Sequence, residues 1–221
     1  MKRIVLLSGG LDSATALYWV MGNPDDIMAI TFDYELRQTR ELNAARSIAR
    51  SAGVQHTVIE LPFYKKLRNS PSSSDESIGP EEKGQLSSAY VPARNIVFMG
   101  IAAAHAEIFG AEEIITGHIG EDVSRFPDVG VDFVKGFNSL LRLCSRPNSQ
   151  PIVIRMPLLR LTKEQVLKEA VRLGVPLEET WSCYNAGDAP CGLCYGCRSR
   201  SEAFEAIGVD DPWMERRRGS I

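Results

Sequence analysis

Residues 3–17, RIVLLSGGLDSATAL, decide how this chain reads. Arg3 to Leu7 is a short apolar run of the kind that forms a buried strand, and from Ser13 to Met21 the pattern is helical. Between them stand Ser8, Gly9, Gly10, Leu11 and Asp12. Glycines there can take conformations that other residues resist, so backbone N–H groups can converge on an anion. The start of the following helix adds unpaired donors and a partial positive charge. Ser8 and Ser13 add hydroxyls, and Asp12 could hold a magnesium ion or cap the helix. Neither GxxxxGK[ST] nor GxGxxG is present at this turn, so it is neither of those two phosphate loops.

Outward from this turn the same alternation continues. Strands are predicted at 27–32, 57–61, 114–116 and 152–154, and helices at 40–51, 95–109, 133–143, 162–173 and 201–207. Gly53 stops the second helix. Thr162 and Gln165 form a capping-box pair at the start of the helix that Gly174 and Pro176 end. Short apolar strands alternating with helices imply an α/β fold, a parallel five-stranded Rossmann-like sheet with helices on both faces. Ligands of such sheets bind at the carboxyl ends of the strands, where Ser8 to Ser13 lies. Residues 69–88, rich in Ser, Pro, Gly and Glu, read as either a disordered excursion or a lid.

The chain has 221 residues, enough to bury roughly 70% of its surface without disulfides. It is read as a single domain over 1–221. Its net charge of −3 argues against a protein that coats nucleic acid. No apolar run approaches the ~20 residues that span a bilayer, and Met1 to Leu7 is too short for a signal peptide, so a cytoplasmic protein is expected. In that compartment clustered cysteines mean metal. Cys183, Cys191, Cys194 and Cys197 give C-x7-C-x2-C-x2-C, a spacing suited to a closed, structural, tetrahedral zinc site, with an iron–sulfur cluster as the rival. Gly192 and Gly196 fit the tight turns of such a knuckle, which places a zinc-binding subregion at about 180–212. Cys144 stands apart and reads as a small apolar residue.

SGGLDS resembles the signature loop of the PP-loop N-type ATP pyrophosphatases, which split ATP between its α and β phosphates and adenylate a substrate oxygen. Further segments narrow the resemblance. Thr180-Trp181-Ser182-Cys183-Tyr184, the cysteine block through Arg200, Ala203 and Phe204, and Asp211-Pro212 are similar to the C-terminal signature of the 7-cyano-7-deazaguanine synthase (QueC) family. Val91-Pro92-Ala93-Arg94-Asn95, Phe126-Pro127-Asp128 and Pro157-Leu158 with Leu161-Thr162-Lys163 resemble three more of its segments. The resemblance spans Ile4 to about Pro212.

The resemblance implies a ligase that forms C–N bonds in 7-deazapurine (queuosine and archaeosine) biosynthesis. It converts 7-carboxy-7-deazaguanine and ammonia to the nitrile preQ0 at the expense of ATP, through an adenylated acid and an adenylated amide. It implies ATP with Mg2+, one structural Zn2+ per chain, no stable nucleic-acid partner and a tendency to dimerise. Leu7, Ser8, Gly9, Gly10, Leu11, Asp12, Ser13, Ala14, Thr15, Ala16, Leu17 and Gly117 would form the nucleotide site. Asp12, Lys163 and Arg94 would be catalytic, and Asn95, Asp122, Phe126 and Asp128 would bind the substrate. Cys183, Cys191, Cys194 and Cys197 would hold the zinc. His118 reads as structural, and Arg216 to Arg218 as a solvated tail. Glu35, Leu36, Ile119 and Val129 depart from the family pattern near the expected base pocket and bear on which acid is bound. Two rivals are a tRNA sulfurtransferase, which would need a catalytic cysteine and a basic surface, and an amidating ligase for another acid. A zinc-knuckle binding module without ATP turnover would leave SGGLDS unexplained.

Overall fold

In a computed structural model of the chain, the described residues are 1–34, 39–64, 91–124, 126–144, 150–185 and 187–213. Glu35, Leu36, the 69–88 stretch and Arg216 to Arg218 lie outside them. The strands are β1 (Arg3–Leu6), β2 (Ile27–Asp33), β3 (Gln55–Glu60), β4 (Glu113–Ile115) and β5 (Val153–Arg155). The helices are α1 (Leu11–Trp19), α2 (Thr39–Ser51), α3 (Arg94–Phe109), α4 (Val131–Cys144), α5 (Lys163–Leu173) and α6 (Tyr195–Ile207). The sheet order is β3-β2-β1-β4-β5 and every neighbouring pair is parallel, which is the expected Rossmann-like architecture.

The period of two along each strand divides the core. Val5, Ala29 and Ile115 face one layer, with α1, α2, α5 and α6. Ile4, Ile30 and Ile114 face the other, with α3 and α4. Both faces are therefore covered, as a parallel sheet requires. The chain runs from β1 outward to β3 and then crosses back to β4 on the other side of β1. This reversal opens a crevice above the ends of β1 and β4, where ligands of open α/β sheets bind.

Three helices start two or more residues earlier than expected, among them α4, at Val131 rather than Phe133. α1 begins at Leu11, not Ser13, because the Gly10 carbonyl already accepts the Ala14 N–H at 3.0 Å. α6 begins at Tyr195, not Ser201, so Cys197 lies in its first turn. Gly192 does take a turn conformation, at φ 76°. Gly196 serves close approach instead, since a Cβ there would lie 2.1 Å from the Ser182 carbonyl oxygen. The capping box of α5 is present, with Thr162 and Gln165 each accepting the other's backbone N–H.

Candidate functional site

The phosphate loop is held by its own hydrogen bonds. The Ser8 and Ser13 hydroxyls lie 2.9 Å apart, Ser13 Oγ donates to the Gly10 carbonyl at 3.0 Å, and the Ser8 N–H donates to Ser13 Oγ at 3.1 Å. Leu7, Leu11, Ala14, Thr15, Ala16 and Leu17 are buried, so their side chains carry the loop from beneath. Gly117 presses on the loop from β4. A Cβ at that position would lie 2.7 Å from both the Cα and the N of Ser13, so only glycine fits.

Asp12 and Lys163 meet although 151 positions separate them. Lys163 Nζ donates to both carboxylate oxygens of Asp12 at 2.7 Å. Lys163 opens α5, where the helix dipole disfavours a cation, so this placement costs stability unless an anion meets it. Asp12 is that anion here, and a phosphate would serve equally. Asp122 lies in the same region and accepts the Ile119 N–H at 3.1 Å. Burial, and then the charge of Asp12, pushes its carboxyl up to about 6. Glu121, which the sequence reading missed, accepts the Lys163 N–H at 3.1 Å.

The far wall of the crevice is built from side chains. Arg94 opens α3 after Ala93, which adopts φ 55°, a left-handed conformation that is unfavourable for a residue with a Cβ. Its guanidinium donates to the Tyr34 hydroxyl at 3.3 Å. Ala93 has no side chain that could cap α3, and Asp128 supplies the cap by accepting the Asn95 N–H at 3.3 Å. The Asn95 side-chain amide donates to the Asp128 carbonyl at 3.2 Å, and Asn95 itself is buried. Asn95 therefore holds Asp128 in place. The half-buried Phe126 donates its N–H to the Asp122 carbonyl at 2.9 Å and so links the two acidic turns. The buried Tyr64 hydroxyl has no hydrogen-bond partner among the described residues.

His118 stands between the two sides. Burial first, and then the charge of Arg94, pushes its imidazole down to about 4, so it is neutral at ordinary pH. Its Nδ1 lies 3.0 Å from Thr116 Oγ1. Ile119 and Val129 are core residues, 3% and 2% exposed, and present no side chain to the crevice.

The four cysteines converge as the spacing predicts. Their sulfurs all lie within 4.8 Å of one another, and Cys191 and Cys197 are 3.9 Å apart. Backbone N–H groups of Cys191, Tyr184, Leu193 and Cys194 point at these sulfurs from 3.3–3.5 Å, which favours thiolates. Zinc–sulfur bonds of about 2.3 Å in a tetrahedron put sulfurs roughly 3.8 Å apart, so the set fits a metal ion. Cys144 is exposed rather than buried, contrary to the expectation for a small apolar residue. It lies at the end of α4, beyond the apolar face. Among the described residues no helix is long and apolar enough to cross a membrane.

The chain is similar to known proteins along nearly its whole length. The family described as "Queuosine biosynthesis protein QueC" matches residues 2–208. The 7-cyano-7-deazaguanine synthase of Trichormus variabilis is 39% identical over 96% of this chain and 97% of its own length. That of Acinetobacter baylyi is 40% identical over 96% of this chain and 93% of its own. An NMN synthetase from Francisella tularensis shares the fold, with a TM-score of 0.51 at 16% identity, covering 97% of this chain and 81% of that one. With a phosphate loop at the switch point, a four-cysteine cluster and matches over nearly its whole length, the chain belongs to the QueC family.

Proposed function

We propose that this chain makes 7-cyano-7-deazaguanine from 7-carboxy-7-deazaguanine, ammonia and ATP, with residues 1–221 acting as one catalytic unit and its cysteine subregion at about 180–212. The observation that carries this reading is the match to relatives of that name over 96% of the chain, together with the phosphate loop at the sheet's switch point. A carboxylate resists ammonia until one oxygen becomes a good leaving group. The substrate carboxylate attacks the α-phosphorus of ATP, forming the acyl adenylate and releasing pyrophosphate. Ammonia adds to the acyl carbon and AMP leaves, giving the amide. The amide oxygen is adenylated by a second ATP, and loss of AMP and a proton gives the nitrile.

The protein's part is positioning and charge stabilisation. Ser8, Gly9, Gly10 and Ser13 with the start of α1 would cradle the departing pyrophosphate. Asp12 would hold the magnesium that accompanies ATP, whose charge would offset that of the phosphates. Lys163, which donates to Asp12, would add a second positive charge within reach of the phosphates. Arg94, with Tyr34 beneath it, would meet the substrate acid, and Asp128 would accept hydrogen bonds from the base. The cysteines would hold one zinc in a closed site. Sulfurs that all lie within 4.8 Å of one another favour a single ion over a cuboidal iron–sulfur cluster, in which each thiolate binds a different iron. A homodimer and a cytoplasmic location accord with the family reading.

Incubation of the protein with ATP, magnesium, ammonium and 7-carboxy-7-deazaguanine is expected to yield the nitrile by mass spectrometry, with AMP and pyrophosphate. Metal analysis of the same preparation is expected to give one zinc per chain. A product that stalls at the amide limits the activity to the first half, and an untouched acid with folded, zinc-loaded protein moves the substrate to another acid.

A further inference from the structure

The cysteine knuckle touches the Ser8–Ser13 loop through Trp181. Gly9 lies at φ 87°, and a Cβ there would stand 2.3 Å from the Glu41 carbonyl oxygen and 2.9 Å from the Ala45 nitrogen. From the other direction the Trp181 N–H donates to the Gly9 carbonyl at 2.9 Å. The loop's left-handed glycine is thus clamped between α2 and the strap that enters the knuckle.

Trp181 is itself fixed by the knuckle. Its ring is 2% exposed, and its indole N–H donates to the Cys183 carbonyl at 3.0 Å. It packs edge-on against Trp213, with centroids 5.1 Å apart, and the Arg40 guanidinium lies 5.8 Å from its centre. The Trp213 indole N–H donates to the Thr180 carbonyl at 2.7 Å. Arg200, one turn beyond Cys197 on α6, pairs with Asp211 at 2.8 Å and donates to Thr180 Oγ1 at 2.6 Å. Residues 180–183 are therefore tied at both ends to the segment that brings the sulfurs together.

We propose that Trp181 is a positioning residue that couples metal occupancy of the knuckle to the shape of the phosphate loop, so that metal retention and nucleotide affinity rise together. The proposal rests on the reading of Ser8 to Ser13 as the pyrophosphate site. With metal bound, Cys183 would be held to Cys191, Cys194 and Cys197, Cys183 seats Trp181, and Trp181 holds Gly9. Thermodynamic linkage makes the effect reciprocal: bound ATP tightens the metal by the factor by which the metal tightens ATP.

The test uses full-length zinc-loaded protein and ATP in excess magnesium, without the acid substrate. ATP affinity is measured by calorimetry with and without zinc. Zinc affinity is measured by competition with a zinc-selective chelator, with and without ATP. The expected coupling is about 5–100-fold, equal in both directions. Trp181→Ala weakens ATP binding about 10-fold and abolishes the coupling, Trp181→Phe lies between it and the parent, and Trp19→Phe on the exposed face of α1 changes neither. If Trp181→Ala does not fold, the parent and Trp181→Phe decide. ATP binding that is indifferent to zinc, or coupling that survives in Trp181→Phe at full strength, overturns the proposal alone. Failure of the folded, zinc-loaded parent to bind ATP overturns the pyrophosphate-site reading and the proposal with it.

Discussion

The two sides of the crevice are built on different principles. The loop side comes from six consecutive residues, Ser8 to Ser13, whose shape is set by the Ser8 and Ser13 hydroxyls, a left-handed Gly9 and the close approach of Gly117. The opposite wall comes from Tyr34, Arg94, Asn95 and Asp128, delivered by three separate segments and joined by side-chain contacts. A site of the first kind tolerates almost no substitution, because backbone meets backbone. A site of the second kind can exchange side chains without disturbing the scaffold. The division suits an enzyme that keeps one activation step and fits it to a particular acid.

The division is sharpest at Asp12. Its replacement by alanine removes the acid that faces Lys163, and pyrophosphate release measured with saturating acid is expected to fall about 10³-fold. Near-parental activity would break the assignment of this side to phosphate chemistry. On the wall, Asn95→Ala releases Asp128 and is expected to raise the KM for the acid about 10-fold while the KM for ATP stays within about twofold. Equal changes in both constants would show that the two sides do not work separately.

The smallest effect concerns the protons on Asp122 and His118. Asp122, raised to about 6, holds its proton more tightly in the folded state, so its stabilising contribution is lost as pH rises from about 4 to 6. His118, lowered to about 4, binds its proton more tightly in the unfolded state, so its contribution is gained over about pH 4 to 6.5. The two nearly cancel in the parent. Asp122→Asn should therefore make stability climb more steeply over this range, and His118→Asn should make it climb less or fall. Urea unfolding at about pH 4, 5 and 6 reads both slopes, and slopes of the opposite order would remove the two groups from their buried settings.

The sequence revealed what is local. The strand–turn–helix at Ser8 to Ser13, the capping box at Thr162 and the cysteine spacing are each written within a few residues, and each appears where expected. The family resemblance put Lys163 and Asp12 in one site, but their direct contact was not read from the sequence. Contacts such as Glu121 with the start of α5, Asp128 capping a helix that begins at Arg94, and Trp181 on Gly9 depend on how distant segments are brought together. No periodicity encodes them. The start of α6 was misread for a related reason: Gly196 resembles a turn residue in a string, while its use is to let the Ser182 carbonyl approach.

Gly9 is made 172 residues before Trp181, and this fixes an order of maturation. At about 5–20 residues per second, the residue that clamps the loop is added roughly 10 to 30 s after the loop itself. A growing chain can pair β1 with β2 early, but the Ser8–Ser13 loop gains the Trp181 hydrogen bond only once the strap at 180–183 is made. Chains that stop short of the strap therefore carry the signature loop without its clamp.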